Sequence, residues 1–257
     1  MMQAGADISA AIRARAAQGA PALVAYLTAG FPSREVFQNA LMQVLDVAEV
    51  VEVGVPFSDP MADGLTIQYS SRVALEQGTT LGWTLEAIQA RRQPGAAPLL
   101  LMSYLNPLLS YGMDRLAADA TETGVSGLIV PDLPFEECIE LRPSLDAAGL
   151  GLVQMVTPVT PPARLALLAD ESRGFVYAVT QTGTTGHAVA ADGELIGYLR
   201  RVRDAATLPV CAGFGIRSAE QVRALAGHAD GCIVGSALVE ALKDGRDVAG
   251  FLQGLKS

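Results

Sequence analysis

The chain has 257 residues, half of them hydrophobic and 18% charged, which fits one large α/β domain and argues against a disordered or fibrous chain. Lys plus Arg number 18 and Asp plus Glu 27, a net charge of −9, and that balance argues against a nucleic-acid or anionic-membrane partner, since both want clustered cation. A small phosphorylated ligand stays open, because backbone N–H groups hold phosphate without basic residues.

In chain order, residues 1–9 carry an acid and no basic cluster, so no signal peptide is expected. Ile8 to about Gln18 reads as a helix ahead of the first strand. Eight strand-like runs then follow: Ala22–Thr28, Ala48–Val55, Leu99–Tyr104, Gly127–Val130, Leu152–Val156, Phe175–Thr180, Pro209–Gly213 and Gly231–Gly235. Stretches with helical spacing separate them, such as Arg34 to Leu45, Met113 to Thr123, Glu136 to Ala148 and Ala219 to Ala226. Continuous Val, Ile and Leu runs belong to strands buried on both faces, the mark of a parallel sheet covered by helices. Eight such units predict a closed (β/α)8 TIM barrel with an extra N-terminal helix closing its bottom, residues 1–257 forming a single domain. The intervals from Ala48 to Leu99 and from Phe175 to Pro209 are the longest between strand starts. Each must therefore hold additional loop or helix, and in a barrel such βα loops surround the active site.

Cys138, Cys211 and Cys232 are far apart and odd in number. They suggest neither a metal pair nor a disulfide framework, and a reduced cytoplasmic setting is expected. No apolar run approaches the ~18–20 residues that cross a bilayer. His187 and His228 are too few and too separated for a zinc site, and His187 reads as a surface residue. Trp83, with Leu81 and Leu85, reads as packing.

The second run, Val50 to Pro56, carries the first chemical signal. Alternation puts Val51, Val53 and Val55 on one face and Val50, Glu52 and Gly54 on the other. The three valines should pack on helices, leaving Glu52 inside the barrel near its mouth. A carboxyl group there is costly to bury, its pKa rises toward neutrality, and it suits general acid/base work. A structural Glu paired with a cation is the other reading. In Phe57 to Gly64, Asp59 and Asp63 read from composition as helix caps more readily than as catalysts. Three glycine loops follow late strands: Gln181 to Gly186, Gly213 to Ile216, and Val234 to Ala237. Together they point to a phosphate site of the kind that barrels build after strands 7 and 8. Ser218 and Gln221 form a plausible capping box.

The run Glu52-Val53-Gly54-Val55-Pro56-Phe57-Ser58-Asp59-Pro60-Met61-Ala62-Asp63-Gly64 closely resembles the signature of the tryptophan synthase alpha chain family. The resemblance extends to Tyr26–Gly30, Leu101–Pro107, Pro131–Pro134, the Gly183-to-Gly186 loop, Gly213–Ile216 and Gly235–Ala237. It implies retro-aldol cleavage of a small phosphorylated indole substrate, indole-3-glycerol phosphate, to indole and glyceraldehyde 3-phosphate. Glu52 and Asp63 would be the catalytic pair, Glu52 moving protons and Asp63 staying ionised against the indole N–H. Tyr104, Tyr177, Thr185 and Phe214 would line the substrate pocket, and Gly186, Gly215, Gly235 and Ser236 would bind phosphate. No cofactor is implied for this chain and no metal site. Pyridoxal phosphate is expected in a beta chain, with which the family forms an alpha-beta-beta-alpha heterotetramer through surfaces matching Pro56, Asp59, Asn106 and Pro134.

Leu65 stands where Pro is common, Thr184 where Val is usual, and Gln181 where some members have Arg. These departures bear on loop closure and partner coupling rather than on the two acids. A stand-alone lyase releasing free indole is the alternative. A phosphate-binding isomerase or synthase barrel would need a strand-end Lys, whereas the lysines here are Lys243 and Lys256. A degenerate, non-catalytic activator would have no reason to keep Glu52, Asp63 and the phosphate loops together.

Overall fold

A computed structural model describes residues 4–138, 141–180, 193–213 and 215–257. Its strands are β1 (Ala22–Thr28), β2 (Val50–Gly54), β3 (Leu99–Met102), β4 (Gly127–Ile129), β5 (Gly151–Val156), β6 (Val176–Val179), β7 (Val210–Gly213) and β8 (Gly231–Val234). Every neighbouring pair is parallel and β8 returns to β1, through Ala22 beside Gly231 and Ala25 beside Val234, so the barrel is closed. The helices are α1 (Ala6–Ala16), α2 (Arg34–Val47), α3 (Leu65–Glu76), α4 (Leu81–Arg91), α5 (Leu105–Tyr111), α6 (Met113–Glu122), α7 (Arg142–Ala147), α8 (Pro162–Glu171), α9 (Gly193–Ala205), α10 (Ala219–Ala224), α11 (Ser236–Lys243) and α12 (Val248–Leu255). This is the (β/α)8 architecture expected from the strand count.

Two apolar cores follow from the two faces of the strands. Val51, Val53, Leu99 and Leu101 point outward and pack with helix residues such as Phe37, Leu41, Leu85 and Ile88. Val24, Val50, Leu100, Ile129, Val153 and Ile233 fill the barrel interior. The interior core also contains Ile8 and Ile12 of α1, both fully buried. That helix is pinned to the strand starts at the barrel bottom: Ser126 Oγ donates to Asp7 Oδ2 at 2.5 Å, and Ser9 Oγ donates to the Gly174 carbonyl at 2.5 Å. The cavity that Glu52 lines lies at the other end, at the C-terminal mouth.

Some boundaries differ from the sequence expectation. β2 starts at Val50 because the Ala48 N–H still bonds the Val44 carbonyl of α2. β3 stops at Met102 because Tyr104 is already the N-cap of α5. The helix expected over Glu136 to Ala148 is a 3-10 turn at Phe135–Glu137 and then α7, which starts only at Arg142. Pro143 explains that start, since a residue without an N–H fits the first turn of a helix and not its interior. The long interval before β3 holds two helices, α3 and α4, and Leu81 and Leu85 are buried there as packing residues. The additional chain before β7 falls on residues 181–192, outside the described residues.

Candidate active site

The strand alternation of β2 delivers Glu52 into the barrel interior, where it is 1% exposed. It lines a partly enclosed cavity together with Tyr26, Asp63, Tyr177 and Ile233. Burial pushes its carboxyl up from 4.5 to about 8, and the charge of Asp63 adds to the rise. Its Oε2 has no hydrogen-bond partner among the described residues. A carboxyl with an unused oxygen in an apolar cavity is protonated at neutral pH and available to exchange that proton. Among the described residues no cation is hydrogen-bonded or ion-paired to it, so the structural ion-pair reading of Glu52 finds no partner there.

Asp63 reaches the same cavity from the loop between β2 and α3. Composition suggested a helix cap, and this is corrected: the N-cap of α3 is Gly64, with no side-chain cap bond. Tyr104 instead decides where Asp63 goes. Its hydroxyl accepts from the Ala62 N–H at 2.9 Å and hydrogen-bonds the Asp63 carboxylate, while its ring stacks on Phe57 with centroids 5.2 Å apart. One side chain from the end of β3 thus holds both sides of the loop that bears the acid. Burial raises the Asp63 carboxyl from 3.8 to about 6, and the bond from Tyr104 restrains the rise. Near pH 7 the two acids therefore sit in opposite states, Glu52 mainly protonated and Asp63 mainly ionised. Asp59 faces solvent in the same loop, accepting from Ser58 Oγ at 2.5 Å.

Two tyrosines line the cavity through one geometric device. Tyr26 on β1 lies beside Glu52 in register and leans across to Gly54 of β2. A Cβ at Gly54 would stand 2.1 Å from the Tyr26 hydroxyl oxygen. Tyr177 on β6 does the same over Gly213 of β7, where a Cβ would stand 2.3 Å from its ring. Each glycine leaves the space its neighbour's ring occupies. Burial holds both phenols well above their ordinary pKa, so they are neutral hydroxyls at any working pH. Tyr177 was expected in the pocket from the family resemblance. Tyr26 was not given a role there, although its inward position follows from strand alternation with Val24 and Thr28.

The part of the cavity beyond β7 and β8 carries Gly215, Gly235 and Ser236. Gly215 has φ +81°, and Ser236 opens α11 directly after Gly235. The first-turn N–H groups of a helix have no intrahelical acceptor and suit an anion. Arg217, which sequence reasoning passed over, also lines the cavity and is the one cationic side chain among the described lining residues. Its position directly after the Gly213-to-Ile216 run is the signal that could have found it. Ser218 and Gln221 form the expected capping box at the start of α10. Thr185, Gly186, Phe214, Thr184, Gln181 and His187 lie outside the described residues. Among the described residues no group of three His, Cys, Asp or Glu side chains is arranged to hold a metal.

The surroundings of the mouth are unusually apolar for a surface. Met61 is 84% exposed and Leu65 80%, both in the β2 unit, and Leu109 of α5 and Val159 after β5 are also exposed. Pro56 is buried just after β2, Asp59 and Pro134 are exposed on the loops that follow β2 and β4, and Asn106 is exposed in the first turn of α5. No helix among the described residues is long and apolar enough to cross a membrane.

Comparison with known proteins gives a consistent result. The sequence model of the tryptophan synthase alpha chain family matches residues 12–252. The alpha chain from Nitratidesulfovibrio vulgaris is 43% identical over 244 residues, covering 94% of this chain and 95% of that one. The alpha chain from a Geobacter species is 44% identical over 224 residues, covering 87% and 84%. The solved structure of Mycobacterium tuberculosis tryptophan synthase is similar with a TM-score of 0.89 at 35% identity, covering 97% of this chain and 96% of that one. That of the alpha subunit from Legionella pneumophila has a TM-score of 0.88 at 30% identity, covering 100% and 98%. With Glu52 and Asp63 of the signature facing one cavity inside a closed barrel, this chain belongs to the tryptophan synthase alpha chain family.

Proposed function

We propose that residues 1–257 act as one catalytic domain in the cytoplasm, and that Glu52 and Asp63 together carry the family's retro-aldol cleavage of indole-3-glycerol phosphate. The observation that supports this most is the pairing of a buried, mainly protonated Glu52 with a mainly ionised Asp63 across one cavity. In the first step Glu52 gives its proton to indole C3, and the ring nitrogen takes on positive charge. Asp63, accepting the indole N–H, stabilises that charge. In the second step the Glu52 carboxylate removes the proton of the hydroxyl on the adjacent glycerol carbon. The C–O bond becomes a carbonyl, the bond to C3 breaks, and its electron pair returns to the ring. Indole and glyceraldehyde 3-phosphate result, and Glu52 recovers the proton it lent. One carboxyl can serve both transfers because its pKa lies near the working pH, while the environments of the two acids divide the roles.

Gly215, Gly235 and Ser236 would receive the phosphate with backbone N–H groups, with Gly186 completing the set. Tyr104 and Tyr177 would flank the indole, joined by Thr185 and Phe214. The family's alpha chain needs no cofactor of its own; pyridoxal phosphate is in the beta chain. Indole is neutral and apolar and is readily lost, so the cavity mouth should open onto that partner. The exposed Met61, Leu65, Leu109 and Val159 beside Pro56, Asp59, Asn106 and Pro134 fit such docking, and they disfavour a lyase working alone. Assaying cleavage of indole-3-glycerol phosphate while titrating purified beta chain tests both statements. Cleavage stimulated by complex formation is expected. A chain that cleaves but neither binds nor responds to beta chain would leave the stand-alone lyase, and no cleavage in either condition would end the assignment.

A further inference from the structure

Glu240, on α11, joins the two ends of the proposed site. Its carboxylate grips Arg217 with both oxygens, Nη1 to Oε2 at 2.6 Å and Nη2 to Oε1 at 3.1 Å. The same Oε1 accepts from Thr66 Oγ1 at 3.1 Å. Arg217 lines the cavity beside Gly215, where the phosphate would lie. Thr66 is the second residue of α3, three positions beyond Asp63. Glu240 itself stands one turn after Ser236 on α11, on the same helix face. One carboxylate therefore touches the helix that would hold the phosphate, the loop that supplies the cation, and the start of the helix that follows the catalytic acid.

Stability is not what this arrangement provides. The Arg217 and Glu240 side chains are 36% and 33% exposed, and ion pairs of that exposure contribute little to folding. A bidentate grip on a planar guanidinium fixes direction instead. The α3 end shows a corresponding need. Gly64 caps that helix with no side chain, and its first turn has no acidic residue of its own. A carboxylate placed there by α11 complements the unpaired N–H groups and the positive end of the helix dipole.

We propose that Glu240 is a positioning residue that aims Arg217 at the substrate phosphate and, through Thr66, fixes the start of α3 so that Asp63 keeps its place against the indole. This rests on the reading of the cavity as the indole-3-glycerol phosphate site. It divides the effects of single substitutions in a way that a purely structural contact does not. Arg217→Met removes the cation and leaves α3 untouched. Thr66→Val removes the α3 bond in nearly the same shape and leaves Arg217 gripped. Glu240→Gln keeps an oxygen for Thr66 but loses the charge that holds Arg217, whereas Glu240→Ala loses both.

The test measures kcat and KM for indole-3-glycerol phosphate, and the Kd of glycerol 3-phosphate, using the full chain with its beta chain. Arg217→Met and Glu240→Gln should raise KM and that Kd about tenfold with kcat within about twofold, the size of one charge-assisted contact. Thr66→Val should lower kcat about tenfold with the Kd unchanged, and Glu240→Ala should show both effects. If the folded Thr66→Val and Arg217→Met proteins show no such split between kcat and Kd, the proposal is overturned, whether or not Glu240→Ala folds. Wild-type protein is the control for the underlying reading. If it neither cleaves indole-3-glycerol phosphate nor binds glycerol 3-phosphate, the functional assignment fails. If it does both and the variants do not split, only the positioning role fails.

Discussion

Replacing Glu52 by Gln keeps the shape of the side chain and removes only its ability to give and take a proton. Because the Glu52 carboxyl lies at about 8, roughly nine in ten molecules carry that proton at pH 7, and the variant loses a function present in nearly the whole population. General acid/base catalysis contributes roughly 10²–10⁴-fold, or ~3–5.5 kcal/mol of barrier, and Glu52 serves in both transfers. Turnover of indole-3-glycerol phosphate should therefore fall by at least about a hundredfold, with glycerol 3-phosphate binding nearly unchanged. The wild-type profile of kcat/KM should rise through about 6 as Asp63 ionises and fall through about 8 as Glu52 loses its proton. Stability supplies a second, independent readout. The folded chain holds the Glu52 proton up to about 8, whereas an ordinary carboxyl releases it at 4.5. Between those values the native state binds more protons than the unfolded state, so wild-type stability should decline as pH rises through this window, by on the order of 3–5 kcal/mol. Glu52→Gln should keep only the smaller decline that Asp63 contributes below about 6, and gain on the wild type toward pH 8, as followed by urea unfolding across pH. Turnover within tenfold of normal, ~1.4 kcal/mol of barrier, would refute the acid/base role. Parallel stability curves for the two proteins would refute the buried protonated acid.

Asp63→Asn should also lower turnover severely while barely moving Tm, since Asp63 caps no helix; equal losses of Tm and activity would restore the capping reading. The charge of Asp63 also raises Glu52, so residual activity in that variant should lose its alkaline limb at a lower pH. Tyr104→Phe removes a hydroxyl bonded to a carboxylate and to the Ala62 N–H, a contact of ~1.5–3 kcal/mol. It should lower kcat roughly ten- to a hundredfold and move the acid limb of the profile upward, because the bond that restrains Asp63 is gone. At Gly235 a Cβ meets only Tyr26 Cβ, at 3.9 Å, so Gly235→Ala should fold and weaken glycerol 3-phosphate binding more than indole binding. Equal loss of both ligands would count against a phosphate site there.

What was legible in the sequence is what depends on local pattern. The barrel followed from apolar runs of strand length, and the orientation of Glu52 followed from two-residue alternation in β2, with Val51 and Val53 in the outer core and Val50 in the inner one. Asp63 was different. Its composition suits a cap, and only Tyr104, arriving from the end of another strand, turns it toward the cavity. Family resemblance supplied that role where local chemistry pointed elsewhere. Tyr26 depends in the same way on the missing Cβ of Gly54 across the strand pair. The Arg217–Glu240–Thr66 junction joins residues from three separate βα units, and no periodicity in any one unit announces it. α7 shows the converse, since Pro143 was visible in the sequence and should have shortened the helix expected there.

The same physics explains why a stable barrel tolerates a buried acid whose Oε2 has no partner among the described residues. An ionised Glu52 would face apolar walls and the nearby charge of Asp63, and both effects drive it to keep its proton. The neutral form costs far less to bury than the charged one, so at neutral pH the fold bears only part of the full cost. The remainder appears when the proton leaves, which in the proposed reaction is the moment after C3 protonation, when Asp63 already faces a cationic indole. The positive charge on the substrate then offsets the second carboxylate. Charge in the cavity is thus redistributed rather than created, from one buried anion to two anions and a cation. A cation bound in place of the substrate's indole should therefore lower the Glu52 pKa, whereas a neutral indole analogue should leave it high. Difference infrared spectra of the carboxyl C=O stretch, with Glu52→Gln as the blank, read this directly. An unchanged Glu52 band with a cationic ligand bound would mean that the two acids do not share the charge of the intermediate.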